Sequence, residues 1–538
     1  MKANSDKSKQ SNKATRRVLA GVLCGASVLS LVLSLVMPPI SQAIANDAQT
    51  VSTEETVMGG GSSSESTGVE NTNNGDTKNQ NSDDAEGGET GDDVQSEGLS
   101  EEDSQDEDAE QTADDASNEG AIPPVAEDAT EYTLINSADD LSHYLQTDKK
   151  AGKYRLNLDI EYASDITLGQ GETTIDLNGH KIKHSGVEPG KSSNMSMFNV
   201  PEGATLTIED LQQAADNKFE QGGDKNGNLA KLDYDGTTPS KLTYYVTEST
   251  SSDTATTETL FKHEVAINGA IVGTTAHSTM RLINVCGGTF NLQSGVLTTN
   301  QDANVRHLIY ADNGSTVYMS GGYVCGASMG RDGAGAGIHV EGSTLDEGST
   351  LEISGGVIAG NYAPSGGGVY AKNSTVYMVG GIISGNGTNN YQSGYGAGIC
   401  AEGSMVTITN GYITNNKYQY YIDEVHKGNG CHGGGGIAAF NDGNLTIAGG
   451  YITGNYSAEA GGGVYAGAWN SALSGFTFSG GTIASNVAQN SEGGGIRISA
   501  PTVGEFNVSD KKAYITNNTT NTTNDWGGGG VFVQGSSD

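Results

Sequence analysis

Residues 366–386 read GGGVYAKNSTVYMVGGIISGN, and variants of this phrase recur from about residue 280 to the end of the chain, roughly every 31 residues. Within it, Val369 and Ala371 are apolar at a spacing of two residues, and so are Val376 and Met378. Because side chains alternate across a β-strand, each pair marks one face of a short strand. The 3.6-residue period of an amphipathic helix does not fit these stretches, so the phrase predicts strands.

Three columns of apolar residues run through the copies. The first strand carries a β-branched residue at Ile283, Ile309, Ile338, Val369, Ile399, Ile437, Val464, Ile496 and Val531. The second strand carries Phe290, Val317, Leu351, Val376, Val406, Leu445, Phe476 and Phe506, and the third Leu297, Val324, Ile358, Ile383, Ile413, Ile452, Ile483 and Ile515. Stacking each strand parallel on its predecessor would satisfy the backbone and build a core of like residues. The predicted fold is all-β, a right-handed parallel β-helix with three short strands per coil.

Glycine and asparagine mark the predicted corners. Paired glycines such as Gly380 and Gly381 precede third strands, where a bend needs positive φ or a close backbone approach. After the third strand comes an asparagine, with Ala327 as the exception: Asn300, Asn361, Asn386, Asn416, Asn455, Asn486 and Asn518. We predict that the stacked amides hydrogen-bond from coil to coil as an internal ladder. A phosphate-binding loop is excluded at GAGAGI (333–338), because a strand and not a helix follows.

The region before the regular coils is predicted to begin the same solenoid. Residues 136–145, NSADDLSHYL, indicate a short capping helix that starts at Asn136 or Ser137, with Asp140 reaching back. Such a helix would cover the open strand edge of the first coil. Early strands are predicted at 174–182, 197–200 and 204–210, and the polar residues 211–280 are expected to be an insertion or poorly formed coils.

The first 45 residues have the layout of a secretory signal. A basic leader precedes an apolar run at 18–37, and the small-residue site Ala43-Ile44-Ala45 follows. The run is long enough to span a bilayer, so an uncleaved membrane anchor is the alternative. We expect an exported, extracellular or cell-surface protein that touches a membrane only through this segment.

Acidic residues dominate the next segment, 46–128, together with Ser, Gly, Asn and Thr. Such a composition cannot bury enough surface to fold, so a disordered linker is predicted. The formal net charge of -37 disfavours nucleic acid and anionic lipid as partners. Residues 129–282 are assigned to the cap, early coils and insertion, and 283–538 to regular coils that end mid-coil.

Cysteines give no sign of a disulfide framework. The four that follow the leader fall at different points of the repeat, so free thiols are predicted: Cys286, Cys325, Cys400 and Cys431. No cofactor and no metal site is predicted.

Several phrases together resemble a known superfamily. TIDLNGHKI (174–182) and TLTIED (205–210), followed by copies of GGGVYA, TVYMVGG and IISGN, resemble right-handed β-helix proteins of the pectin-lyase-like superfamily. They are most similar to adhesin-like surface members of Gram-positive gut bacteria, and the glycine and asparagine copies also resemble polymorphic outer-membrane repeats. The resemblance covers roughly residues 130–538 and implies the fold, while members of that fold include lyases, hydrolases and non-enzymatic adhesins.

Outward-facing positions are the candidates for function, because inward ones are committed to packing. Tyrosine is prominent there and can stack on sugar rings while offering a hydroxyl. The alternative is that tyrosine is simply a favoured strand residue. The predicted ligand-binding residues on the strands are Tyr310, Tyr318, Tyr370, Tyr377 and Tyr465.

The longest loop of the repeat, 417–432, is the second candidate region, since function concentrates on loops. Its ligand-binding candidates are Tyr418, Tyr420 and Tyr421, and its weaker catalytic or metal-binding candidates are Asp423, Glu424, His426 and His432. The superfamily resemblance would imply catalytic motifs that this sequence does not match. Arg497-Ile498 is followed by Ser499 and has no acidic companions in the motif. At one corner, Asp312, Glu341, Lys372 and Glu402 alternate in charge and predict a salt ladder.

These observations favour an exported, adhesin-like surface protein that binds polysaccharides or glycoproteins without catalysing a reaction. A polysaccharide lyase or glycoside hydrolase that uses the long loop is the first alternative, and a passive surface stalk is the second.

Overall fold

Most of the strands in the described part of the chain are parallel and stacked on one another. The computed structural model describes residues 132–185, 195–252, 254–274, 280–301, 303, 305–330, 333–388, 394–419, 432–468, 471–507, 512–522 and 527–535. All of them belong to one structural unit, Ser117–Asp538. The fold is all-β, with long parallel sheets and few helices, and it fits a parallel β-helix.

Strands are numbered β1–β38 in chain order, and most of them form three long parallel ladders. The first ladder contains β4 (Ile166–Thr167), β7 (Ser196–Pro201), β14 (Arg281–Cys286), β17 (His307–Asp312), β20 (Ile338–Glu341), β23 (Val369–Lys372), β25 (Ile399–Glu402), β28 (Ile437–Phe440), β31 (Val464–Ala466), β34 (Ile496–Ile498) and β38 (Val531–Val533). The second contains β1 (Thr133–Ile135), β2 (Gly152–Leu156), β5 (Gly171–Asp176), β8 (Ala204–Glu209), β15 (Thr289–Leu292), β18 (Thr316–Met319), β21 (Thr350–Ile353), β24 (Thr375–Ser384), β26 (Met405–Thr414), β29 (Asn444–Thr453), β32 (Gly475–Ala484) and β35 (Gly504–Phe506).

The third ladder contains β3 (Ile160–Tyr162), β6 (Lys181–His184), β13 (Ala270–Gly273), β16 (Val296–Thr299), β19 (Tyr323–Cys325), β22 (Val357–Ala359), the second halves of β24, β26, β29 and β32, and β36 (Ala513–Thr516). A fourth, short ladder contains β27 (Lys417–Tyr418), β30 (Tyr456–Ser457), β33 (Val487–Ala488) and β37 (Thr519–Thr520).

Equivalent residues of successive coils pair in register, as the apolar columns predict. Val369 pairs with Ile338 on one side and with Ile399 on the other, and all three are fully buried. The second column is continuous in the same way, with Val376 between Leu351 and Val406. Full burial of such a side chain contributes about 1.5–3 kcal/mol. Like residues stacked along the coils therefore form the main core.

The two glycines of a pair are required for different physical reasons. Gly381 has φ +78°, a backbone conformation that residues other than glycine rarely adopt. At Gly380 a Cβ atom would lie 2.3 Å from the backbone oxygen of Ser354 in the preceding coil. One glycine makes the bend, and the other allows the coils to approach.

The asparagine ladder is present and runs from Asn361 to Asn518. In each step the amide of one asparagine donates to the side-chain oxygen of the next, at distances of 2.9–3.1 Å. Asn300 is not a member, because Ala327 separates it from Asn361 and its Oδ1 is buried without a hydrogen-bond partner. The predicted ladder is therefore correct from Asn361 onward and wrong at Asn300.

A short helical segment covers the first coil. Helix α1 (Ala138–Leu141) continues as a π-helical turn (Ser142–Thr147), and a 3-10 turn occurs at Leu345–Glu347. The Ser137 hydroxyl accepts from the backbone N–H of Asp140, whose carboxylate accepts from the N–H of Asn136. Leu141 and Leu145 are buried in the main core, which packs this segment against the early strands.

Residues 216–266 are more regular than their polar sequence suggests. They form an antiparallel sheet, here called the inserted sheet, of β9 (Asp216–Gln221), β10 (Lys231–Asp235), β11 (Thr238–Ser251) and β12 (Thr256–Ala266) in the order β10-β11-β12-β9. Leu242, Tyr244 and Val246 of β11 pack against outward residues of the third ladder. The backbone N–H of Thr247 donates to the Thr414 hydroxyl at 3.1 Å and ties the sheet to that ladder.

Within the described ranges, no helix is long and apolar enough to cross a membrane. The apolar run at 18–37 and the linker 46–128 lie outside those ranges. Cys286, Cys325 and Cys400 are free thiols, as predicted, and Cys431 is not among the described residues.

Candidate functional site

Two of the predicted tyrosines are exposed on the second ladder. Tyr318 and Tyr377 have 43% and 42% of their surface accessible. Each pairs in register with Glu352, which lies on the coil between them. Two steps of strand spacing separate the tyrosines by about 9.6 Å along the ladder. We call Tyr318, Glu352 and Tyr377 the tyrosine strip.

The strip combines aromatic faces with a single carboxylate. Partial burial, and then the negative charge of Glu352, raise the pKa of the Tyr318 hydroxyl. The hydroxyl therefore stays protonated at neutral pH and can donate a hydrogen bond. Asn291 precedes Tyr318 in the same column, and Thr407 follows Tyr377. The column thus alternates flat rings with hydrogen-bonding groups.

The three first-ladder tyrosines are buried, so their predicted exposure is wrong. Tyr310, Tyr370 and Tyr465 have accessibilities of 6%, 9% and 0%. The Tyr310 hydroxyl donates to Glu341, and the Arg281 guanidinium lies 3.4 Å from the Tyr310 ring centre. These tyrosines do face away from the main core, but they are buried in contacts with other residues of the protein.

Glycine runs cover those tyrosines. At Gly366 a Cβ atom would lie 2.8 Å from the Tyr370 Cβ, and at Gly461 it would lie 2.9 Å from the Tyr465 Cβ. The chain before each of these first strands therefore folds back over the outer face of the strand. Tyr370 and Tyr465 form a second small core there, with Cys400 and Phe440.

The corner series does not form the predicted salt ladder. Glu341 pairs with His339 at 3.1 Å, and Glu402 accepts from the Tyr370 hydroxyl at 2.5 Å. No ion pair joins Lys372 to either carboxylate in the part of the chain that the structure describes. The bond from His339, with help from the Tyr310 hydroxyl, holds the pKa of Glu341 down at about 2.

Most of the long-loop candidates lie outside the described residues: Tyr420, Tyr421, Asp423, Glu424 and His426. Tyr418 is 1% exposed and packs with Ala397 and Ala458. The prediction that it is an accessible ligand-binding residue is therefore wrong. Burial lowers the pKa of His432, and its ring lies 5.0 Å from that of Tyr395.

A buried charged cluster adjoins His432. Arg497 is 2% exposed and donates from Nε to Glu492 Oε1 at 2.7 Å. The sequence did not predict this ion pair, in which the acidic partner comes from the turn that precedes the strand of Arg497. A second buried carboxylate, Glu459, accepts from the backbone N–H of His432 at 3.2 Å.

Stability should fall as Glu459 ionises. Burial, and then repulsion from Glu492, raise the pKa of Glu459 from 4.5 to about 7. A raised folded pKa means that its stability contribution is complete below pH 4.5 and is lost as pH rises to about 7. We expect Glu459→Gln to remove this loss, on the order of 3 kcal/mol. Urea unfolding of both proteins at pH 5 and pH 7.5 measures it.

His432, whose pKa is lowered by burial, is common to both proteins, so its own titration largely cancels in the comparison. The free energies of unfolding of the wild type and Glu459→Gln should converge at low pH. Between the ordinary pKa of 4.5 and the folded pKa of about 7, they should separate by about 1.4 kcal/mol for each pH unit. Parallel curves over that range would contradict the assignment.

A polar group that the sequence did not predict lies at the rim of the inserted sheet. Asp216 accepts from the Tyr244 hydroxyl and, at 3.1 Å, from His263 Nδ1. The Tyr244 and His263 rings stack at 4.7 Å between centroids. The alternation of Leu242, Tyr244 and Val246 was the available signal for this strand, although nothing in the sequence pairs it with Asp216.

The class that the structure defines is an all-β protein of long parallel sheets with exposed tyrosines on one ladder. Comparisons with protein-family models, curated proteins and solved structures found no match.

Proposed function

We propose that this chain is an exported, adhesin-like surface protein that binds glycans without catalysing a reaction. In this proposal the solenoid is a right-handed β-helix of the pectin-lyase-like superfamily. The N-terminal signal directs export, and the acidic segment 46–128 acts as a tether. Polysaccharides or glycoproteins at a cell surface are the partners.

The tyrosine strip is the observation that carries the proposal. Tyr318 and Tyr377 keep over two fifths of their surface accessible. Aromatic faces bind the apolar faces of sugar rings, and a nearby carboxylate accepts hydrogen bonds from sugar hydroxyls. Glu352, between the two rings, is placed to be that acceptor.

The strip itself does not support glycoside hydrolysis. That reaction uses two carboxyl groups about 5–10 Å apart, and the strip presents one, Glu352. The passive stalk differs from the adhesin only in having no ligand, so a binding measurement separates them.

The double variant Tyr318→Ala/Tyr377→Ala should weaken binding of the glycans that the tyrosine strip recognises. Each ring is expected to contribute about 1–1.5 kcal/mol, so affinity should fall roughly 30-fold to 150-fold. Binding of the purified full-length chain to a glycan array measures the effect. Phe219→Ala is the matched control, because Phe219 is 50% exposed and lies on strand β9 of the inserted sheet, which is not part of the strip.

Two results would contradict the proposal. Equal array binding by the wild type and the double variant would remove the strip from recognition, and no binding by the wild type would favour the stalk. Release of reducing or unsaturated sugars from a polysaccharide panel would favour the enzyme instead.

A further inference from the structure

A cleft of about 450 Å³ separates one end of the inserted sheet from the solenoid. Asp216 and Tyr244 line one side of it, and the outward residues of the third ladder line the other. Near Thr247 the sheet is hydrogen-bonded to the ladder, and near Asp216 the cleft lies between the sheet and the coils. The position of the cleft therefore depends on where the inserted sheet is hydrogen-bonded to the third ladder.

The ladder side of the cleft spans four coils. Tyr323, Val357, Ile382 and Tyr412 pair in register along it. Three steps of strand spacing make this wall about 14 Å long. Glycines of the corner bends, including Gly322, Gly356 and Gly381, adjoin it and present backbone without side chains. Tyr323 and Val357 are each 5% exposed, so a ligand would reach this wall mainly at Ile382, at Tyr412 and at the adjoining glycine backbone.

Tyr412 is held in place before any ligand binds. Its ring stacks on that of Tyr451 at 4.7 Å with 11° between the planes. Tyr412 remains half-buried and lines the cleft. A ring fixed by its neighbour loses little conformational freedom on binding, which favours stacking against a ligand.

Asp216 supplies unused hydrogen-bond acceptors. An ionised carboxylate has about four acceptor positions, and Tyr244 and His263 occupy one each. The Asp216 side chain is 28% exposed, so the remaining positions are open to a ligand. The bonds from Tyr244 and His263 also fix its orientation. Neighbouring hydroxyls of one sugar ring match such an acceptor.

The charge of the cleft selects against acidic ligands. Among its described lining residues there is one carboxylate, Asp216, and no lysine or arginine. Gln213 and Asn410 add uncharged amides. A uronate or sialate would place a second negative charge near Asp216 without a cation to balance it.

We propose that this cleft is a second glycan site, specific for short neutral oligosaccharides. The proposal shares its ligand class with the proposed function but rests on separate residues. Tyr412 stacks on a sugar ring, Asp216 accepts from hydroxyls, and the glycine corner lets the ligand approach the backbone. The specificity differs from that of an enzyme that acts on acidic pectin.

Isothermal titration of the full-length chain with maltotriose, cellotriose, chitotriose and trigalacturonate tests the proposal. At least one neutral trisaccharide should bind, and trigalacturonate should bind at least about tenfold more weakly. Asp216→Asn and Tyr412→Ala should each weaken the neutral ligand roughly tenfold. Asp233→Asn is the matched control, because Asp233 lies on the same sheet and pairs with Lys231 and Lys241.

Circular dichroism establishes that each variant is folded before titration. The Tyr318→Ala/Tyr377→Ala variant should keep trisaccharide binding. If the tyrosine strip proves not to bind glycans, the titrations of the cleft variants therefore still test the cleft. The proposal is overturned if trigalacturonate binds as tightly as the neutral ligands or if no neutral trisaccharide binds. Insensitivity of neutral binding to both cleft variants overturns it as well.

Discussion

Asn416→Ala should lower the free energy of unfolding by about 3–5 kcal/mol. The Asn416 amide donates to Ile383 O at 2.9 Å and to Asn455 Oδ1 at 3.1 Å. Its oxygen accepts from the backbone and side-chain nitrogens of Asn386 at 3.1 and 3.0 Å. Alanine would leave several of these buried groups unpaired, and each costs about 1–3 kcal/mol.

Urea unfolding followed by circular dichroism measures the change. Asn410→Ala is the matched control, because Asn410 is an exposed asparagine of the same coil, six positions earlier. Its loss should stay within about 0.5 kcal/mol. Similar losses for the two variants would show that the ladder does not bear the stability assigned to it.

The repeating core was predictable from the sequence because one physical requirement acts on every coil. Stacked strands bury the same face each time, so Ile338, Val369 and Ile399 must all be apolar and pair in register. Asparagine recurs for the same reason, since an amide can both donate to and accept from its copies above and below. A single repeat shows little, but several aligned copies reveal the columns.

The inserted sheet was not predictable in the same way. It occurs once, so no column of equivalent residues marks its strands. Its contacts also join distant segments, as when Asp216 meets Tyr244 and His263. Antiparallel pairing between β11 and β12 is local, but the packing of β11 on the third ladder depends on where the whole insertion folds. The cleft follows from that packing.

Side-chain alternation predicts which way a tyrosine points, but not whether something covers it. Tyr370 and Tyr377 both point away from the main core, yet Tyr370 is 9% exposed and Tyr377 42%. The difference lies in Gly366, whose backbone crosses the Tyr370 side of the first strand. The glycine run of the quoted phrase therefore also covers a tyrosine, and of the strand tyrosines predicted to bind a ligand only Tyr318 and Tyr377 are exposed.

The buried pair of Arg497 and Glu492 leads to the second large expected effect. Arg497 also donates from Nη2 to Gln534 Oε1 at 2.8 Å and lies 4.8 Å from the Tyr465 ring centre. Arg497→Ala would leave the Glu492 carboxylate, 3% exposed, without its cation and near Glu459. Breaking a buried pair in this way costs about 3–5 kcal/mol.

A second variant separates loss of the charge pair from loss of packing. Because an unpaired buried charge causes most of the cost, Glu492→Gln/Arg497→Met should recover more than half of the stability lost in Arg497→Ala. Urea unfolding at pH 7.5 of the wild type and both variants measures this. If the double variant is as unstable as Arg497→Ala, the contacts of Arg497 with Tyr465 and Gln534, and not its charge, stabilise this part of the solenoid.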